Sequence, residues 1–168
     1  MATETGLGAE IGVSQPTILL GDDDLALAAG LSEVLGSYGF ACDHAGDWPT
    51  LRGRLQTTSY DLLILEMRLG RVDLVHRFAE IASDTAAPII FLTCQELETD
   101  RILALEKGAA GVLRKPISGR EIVARVRAQL RRSAAPTRPP ELQLTWRISC
   151  GQLGFSALSA SLAHSGGY

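Results

Sequence analysis

Aromatic side chains are scarce in this chain: Phe, Trp and Tyr make up 5% of its 168 residues. A core must therefore come from Leu, Ile, Val and Ala. At 46% hydrophobic residues there is enough apolar material for one, which excludes global disorder. Cysteines are few: Cys42, Cys94 and Cys150 show no C-x-x-C spacing, and an odd, scattered set points to a reducing compartment. No stretch approaches the roughly 18 apolar residues of a membrane span. Residues 1–14 lack a basic segment followed by an apolar one, so no signal peptide is expected and the simplest location is cytoplasmic. A strong charge of one sign is missing too. The net charge of −3 makes no case for nucleic acid or a membrane surface, although Arg and Lys dominate from Arg101 onward. His44, His76 and His164 have no metal-ligand spacing and are assigned no role.

What is present is an alternation. Residues 1–15 are small, Gly-rich and weakly patterned, a flexible leader; Gly6, Gly8 and Gly12 do not form a G-x-G-x-x-G fingerprint. Residues 17–20 then form a short apolar run ending in Gly21-Asp22-Asp23-Asp24, as a buried parallel strand does. Leu27, Leu31, Val34, Leu35 and Tyr38 have helical spacing, and Gly39 suits a helix end. Residues 40–42 predict a second strand. Residues 48–55 predict a second helix, with Asp47 as N-cap and Pro49 in its first turn. The third run, 61–65, ends at Glu66, and a helix is expected over 71–82. A fourth strand covers 88–93, with Pro88 where a strand tolerates proline. A helix over 96–107 closes at Gly108, a fifth strand covers 111–114, and Ser118 caps a last helix to Arg132.

Five strands alternating with five helices imply an α/β fold, a doubly wound parallel sheet. Ligands of such sheets sit beyond the carboxyl ends of the strands. That rule selects Asp22, Asp23 and Asp24 after the first strand, Glu66 after the third, Thr93 after the fourth and Lys115 after the fifth. Carboxylates, a hydroxyl and an ammonium on one edge make a phosphate-and-metal arrangement. The acids would repel one another without a cation. Mg2+ takes one or two carboxylates and keeps several waters, Lys115 offsets part of the charge, and Thr93 can hydrogen-bond a phosphoryl oxygen.

The motifs carry a resemblance. Ile18-Leu19-Leu20-Gly21-Asp22-Asp23-Asp24 resembles the first strand and acidic pair of a two-component response-regulator receiver domain. Tyr60-Asp61-Leu62-Leu63-Ile64-Leu65-Glu66-Met67 is similar to its third strand and phosphoacceptor. Residues 88–93 are similar to its fourth strand and switch hydroxyl, and Gly108-Ala109 through Leu113-Arg114-Lys115-Pro116 to its fifth strand and Lys-Pro pair. Asp100-Arg101-Ile102 and Arg120-Glu121-Ile122-Val123-Ala124-Arg125-Val126-Arg127 resemble receivers coupled to winged-helix DNA-binding domains. The resemblance covers residues 16–132 and implies a flavodoxin-like, five-stranded receiver fold. It implies Mg2+ on Asp22, Asp23 and the backbone carbonyl of Arg68, with Thr93 and Lys115 sensing the phosphorylated state. It implies a sensor histidine kinase or another regulatory protein as partner, and a homodimer through the fourth helix, fifth strand and fifth helix. No enzymatic turnover is expected.

The chain departs from the family at several places. Glu66 stands where an aspartate forms the acyl phosphate, a covalent intermediate. Its extra methylene misplaces the nucleophile, and a misplacement of about 1 Å can cost on the order of 10²-fold in rate. The same length carries its charge toward Thr93 and Lys115, imitating part of a phosphoryl group's larger charge. Phosphorylation-independent signalling is the expectation; a silent, degenerate position is the rival. Val112 replaces the aromatic switch residue, Ala110-Gly111 the acidic pair of the dimer face, and no proline occurs in Met67-Arg68-Leu69-Gly70. Without those acids Arg120, Arg125 and Arg127 lack some of their usual partners across the dimer; the arginines of the last helix read as a solvated face, with a nucleic-acid patch as the rival that the missing interleaved aromatics disfavour. Cys94, after the switch threonine, reads as filling a small space, with a redox role as the rival.

Residues 133–140, rich in Pro and Ala, read as a linker. Residues 141–148 could open the small sheet of a winged-helix domain, and 149–168 are Ser-, Ala- and Gly-rich. The segment 141–168 thus reads as an incomplete or remnant output domain, unable to bind DNA specifically. Two rivals stand beside the receiver. One is a phosphorylation-free interaction module. The other is a haloacid-dehalogenase-like phosphatase, with Asp22 as nucleophile, Asp24 as acid/base and Lys115 as its lysine; no late acidic pair supports it.

Overall fold

The computed structural model describes residues 15–94 and 98–134, so the expectations for the leader and for 135–168 lie outside the described residues. Five parallel strands form the main sheet: β1 (Thr17–Gly21), β2 (Ala41–Ala45), β3 (Leu62–Glu66), and, after a hairpin of β4 (Arg68–Leu69) and β5 (Val72–Asp73), β6 (Ile89–Thr93) and β7 (Gly111–Arg114). Their order is β2-β1-β3-β6-β7. The helices are α1 (Leu25–Ser37), α2 (Trp48–Thr57), α3 (Phe78–Asp84), α4 (Glu98–Glu106) and α5 (Gly119–Ala134). The expected five-stranded, doubly wound sheet is what forms. Among the described residues no helix is long and apolar enough to cross a membrane.

Period-two alternation divides the strands between two cores. Leu19, Leu63, Leu65, Ile89 and Phe91 face one side and pack with Leu51, Leu55, Phe78 and Ile81 of α2 and α3. Ile18, Leu20, Leu62, Ile64, Ile90 and Leu92 face the other and pack with Leu31 and Leu35 of α1 and Ile122, Val123 and Val126 of α5. A sheet covered on both faces needs such continuous apolar runs. Full burial of each Leu or Ile contributes about 1.5–3 kcal/mol.

Helix ends follow local chemistry. The Asp47 carboxylate accepts from Thr50 N–H at 2.8 Å and the Ser118 hydroxyl from Glu121 N–H at 3.2 Å, so both expected N-caps form; the Asp24 carboxylate likewise caps α1, accepting from Leu27 N–H at 3.0 Å. The arginines 120, 125, 127, 131 and 132 of α5 are all exposed, and the Arg127 guanidinium lies over the Tyr38 ring, 5.3 Å from its centroid.

Two expectations need correction. The helix expected over 71–82 begins only at Phe78. Residues 68–73 form the β4–β5 hairpin instead, with Leu69 paired to Val72. Gly70, at φ +60, occupies the first central position of its two-residue turn, where a type II′ turn requires glycine. Leu74, Val75, Phe78 and Ile81 are all buried, and their helix-like spacing spans a turn followed by a helix. The second strand runs to Ala45, three residues beyond the expected Cys42, because β1 pairs with it as far as Gly21↔Ala45.

Candidate functional site

Strand order reverses between β1 and β3, where chain connections leave the sheet in opposite directions and open a crevice at the carboxyl edge. Asp22 follows β1, and Glu66 is the last residue of β3. The β1–β3 register ends on Gly21↔Leu65, and its continuation sets Asp22 beside Glu66. Thr93 ends β6, and its carbonyl accepts the Lys115 N–H at 2.8 Å. The positional rule therefore brings the selected residues to one edge. An open cleft of about 560 Å³ is lined by Asp22, Asp23, Glu66, Arg68, Thr93 and Lys115, among others.

Lys115 reaches from the end of β7 across the cleft. Its Nζ lies 2.6 Å from Asp22 Oδ2 and 2.5 Å from Glu66 Oε2. The side chains of all three are at most 13% exposed. Burial by itself pulls the Lys115 ammonium down. The hydrogen bonds and charges of Asp22 and Glu66 outweigh it and hold its pKa above the usual lysine value. Asp22 Oδ1 accepts from Asp24 N–H at 2.9 Å, and Glu66 Oε1 accepts from Met67 N–H at 3.2 Å. Each acid is thus anchored through one oxygen to the backbone and through the other to Lys115.

Asp23 differs. Its side chain is exposed, lines the cleft and has no hydrogen-bond or ion-pair partner among the described residues. Arg68 lies in the hairpin. Met67 O accepts from Leu74 N–H at 2.8 Å, and antiparallel pairs alternate between bonded and non-bonded, so the Arg68↔Asp73 pair is non-bonded and the Arg68 carbonyl is unused by the ladder. The donors fit a hard divalent cation on this observation: an unpartnered carboxylate, a second carboxylate and a spare carbonyl, with waters to complete the shell. Among the described residues no three His, Cys, Asp or Glu side chains gather as a metal cluster.

A family model described as "Response regulator receiver domain" matches residues 18–127. The chain belongs to the response-regulator receiver family. The Transcriptional regulatory protein CpxR homolog of Haemophilus influenzae is 36% identical over 120 residues, covering 71% of this chain and 52% of that protein. CpxR of Escherichia coli K12 is 40% identical over 116 residues, covering 69% and 50%. The chain thus spans about half the length of the curated relatives it matches. A two-component response regulator from Clostridium difficile superposes with a TM-score of 0.69 at 29% identity, covering 72% of this chain and 100% of that one. A CheY-like receiver domain from Methanospirillum hungatei has the same TM-score at 17% identity, covering 72% and 98%, and supports the fold alone.

Within this receiver, Asp24 is engaged in capping α1, which leaves the acid/base role of the phosphatase reading without its residue. Cys94 does not fill an internal space as expected; it is exposed on the rim of the cleft, since the chain leaves the sheet directly after Thr93. Val112 is half-buried against the α2–α3 core. Sequence reasoning also missed a contact. His44 Nε2 lies 2.7 Å from the backbone carbonyl of Asp22. Ending the second strand at Cys42 hid it; with the strand extended to Ala45, the carboxyl-edge rule would have selected His44.

Proposed function

We propose that this receiver works without phosphorylation, its acidic pocket held in one state by Glu66 in the phosphoacceptor position. The observation that carries this reading is the double hold on Lys115, 2.6 Å from Asp22 and 2.5 Å from Glu66. In the family Lys115 is expected to meet a phosphoryl oxygen; here the longer acid already occupies it. Glu66 Oε2 is committed to an ammonium and Oε1 to the Met67 N–H, so neither oxygen is presented as a free nucleophile. Thr93, 3% exposed at the end of β6, is the hydroxyl placed to sense the same charge.

Asp22, Asp23 and the Arg68 carbonyl would hold Mg2+ in this pocket. When bound, the ion supplies positive charge that offsets the crowded acids. The Asp23 carboxylate is uncommitted and the Arg68 carbonyl is unused by the hairpin ladder, while Asp22 shares its charge with Lys115. The names of the relatives support an origin in transcriptional regulation, and a sensor kinase or another regulatory protein is the partner class. Homodimerisation through α4, β7 and α5 would proceed without acids at Ala110-Gly111.

The test is incubation of the wild type and Glu66→Asp with acetyl phosphate and Mg2+, followed by intact mass. An adduct of one phosphoryl group on the variant alone is expected. A stoichiometric adduct on wild-type Glu66 would overturn the proposal.

A further inference from the structure

The Asp22–Asp23 peptide is fixed from outside its own strand. The Asp22 N–H donates to Ala45 O at 3.1 Å, continuing the pairing of β1 with β2 by one residue. Its carbonyl is beyond the last paired residues, Gly21↔Ala45, and His44 Nε2 lies 2.7 Å from it. A carbonyl only accepts, so Nε2 carries the hydrogen in this contact. Asp22 is 5% exposed, and a buried backbone oxygen without a donor costs roughly what a lost hydrogen bond costs.

The geometry points to His44 as a positioning residue for the acidic pair. The peptide unit is planar, so holding the Asp22 carbonyl also orients the nitrogen and Cα of Asp23. The direction of Asp23 matters because nothing else holds its side chain: it has no partner among the described residues. Asp22, by contrast, is tied at Oδ1 by the Asp24 N–H and at Oδ2 by Lys115. The imidazole therefore acts on the carboxylate that is otherwise free to turn. It does so from the edge strand β2, without entering the cleft, whose lining does not include it. Partners that orient ligating residues commonly change metal affinity by about 10- to 100-fold when removed.

The inference rests on the reading of Asp22 and Asp23 as the Mg2+ pair. Isothermal titration of Mg2+ into wild type, His44→Leu and His44→Gln tests it, with a urea midpoint measured for each. Glutamine retains an N–H donor at about the reach of Nε2; leucine retains bulk alone. Mg2+ affinity is expected to fall about tenfold or more in His44→Leu and to recover in His44→Gln, at similar urea midpoints. Should leucine prevent folding, His44→Met replaces it. Equal affinities in all three proteins, or an equal loss in the glutamine and leucine variants, would overturn the positioning role while leaving the metal pair in place. Absence of Mg2+ binding by the wild type would overturn the metal pair and the inference with it.

Discussion

Lys115 and Glu66 form an ion pair, Nζ to Oε2 at 2.5 Å, between side chains that are 11% and 13% exposed. Two acids share this one ammonium, so the lysine cannot be removed without leaving Asp22 and Glu66 facing each other. Breaking a buried pair from one side costs about 3–5 kcal/mol, because the stranded charge has lost its compensation. Lys115→Met should destabilise the fold by that order at neutral pH in urea denaturation. A Lys115→Met variant with the wild-type urea midpoint would contradict the shared-ammonium arrangement.

Alkaline pH tests the same lysine. The folded-state pKa of Lys115 is raised above that of an unfolded lysine. Its stabilising contribution is therefore complete below the unfolded value of about 10.4 and is lost as pH rises through the folded value. Tyr60, raised by burial and by its 2.8 Å hydrogen bond to Asp43, loses stability in the same window. The two are separated by comparing pH-dependent urea midpoints of the wild type with those of Lys115→Met. The variant should show a shallower decline above pH 10, retaining the contributions of Tyr60 and of Cys42, whose thiol is also pushed up by burial.

Gly21 carries a steric prediction. It ends β1 directly before Asp22, and a Cβ there would lie 2.6 Å from Leu65 Cδ2 and 3.5 Å from Leu51 Cδ1. Leu65 and Leu51 are both fully buried, so neither methyl has free space to move into. Overpacking of this kind costs about 1–3 kcal/mol. Gly21→Ala should lower the urea midpoint accordingly, whereas Gly30→Ala, with open space around its Cβ, should not.

The sheet was legible because its strands are apolar runs closed by polar residues, and the edge rule then found Asp22, Glu66, Thr93 and Lys115 without further help. Illegible parts had one physical cause: tertiary context decided where apolar spacing alone was ambiguous. Leu74, Val75, Phe78 and Ile81 suit a helix by spacing, yet Gly70 turns the chain back as a hairpin before the helix can start. His44 was missed because β2 is an edge strand with half-buried residues and gives no apolar run to extend. The ion pairing of Lys115 with both acids was implied only as general charge balance; its geometry depends on the length of the Glu66 side chain.

Asp24 separates helix capping from metal binding. Its carboxylate accepts from Leu27 N–H at 3.0 Å, in the N-cap position of α1, while its own N–H donates to Asp22 Oδ1 at 2.9 Å. Asp24→Ala removes the cap and keeps the backbone donor, so a loss of about 1 kcal/mol is expected. Mg2+ affinity should change little, because the backbone hydrogen bond that anchors Asp22 survives. Asp24→Asn, which retains a capping oxygen, should recover most of the stability. Asp23→Ala should do the reverse, keeping the urea midpoint and losing Mg2+ binding. Titration calorimetry and denaturation of the three variants side by side check this. Equal loss of Mg2+ affinity in Asp24→Ala and Asp23→Ala would mean that Asp24 is itself a ligand.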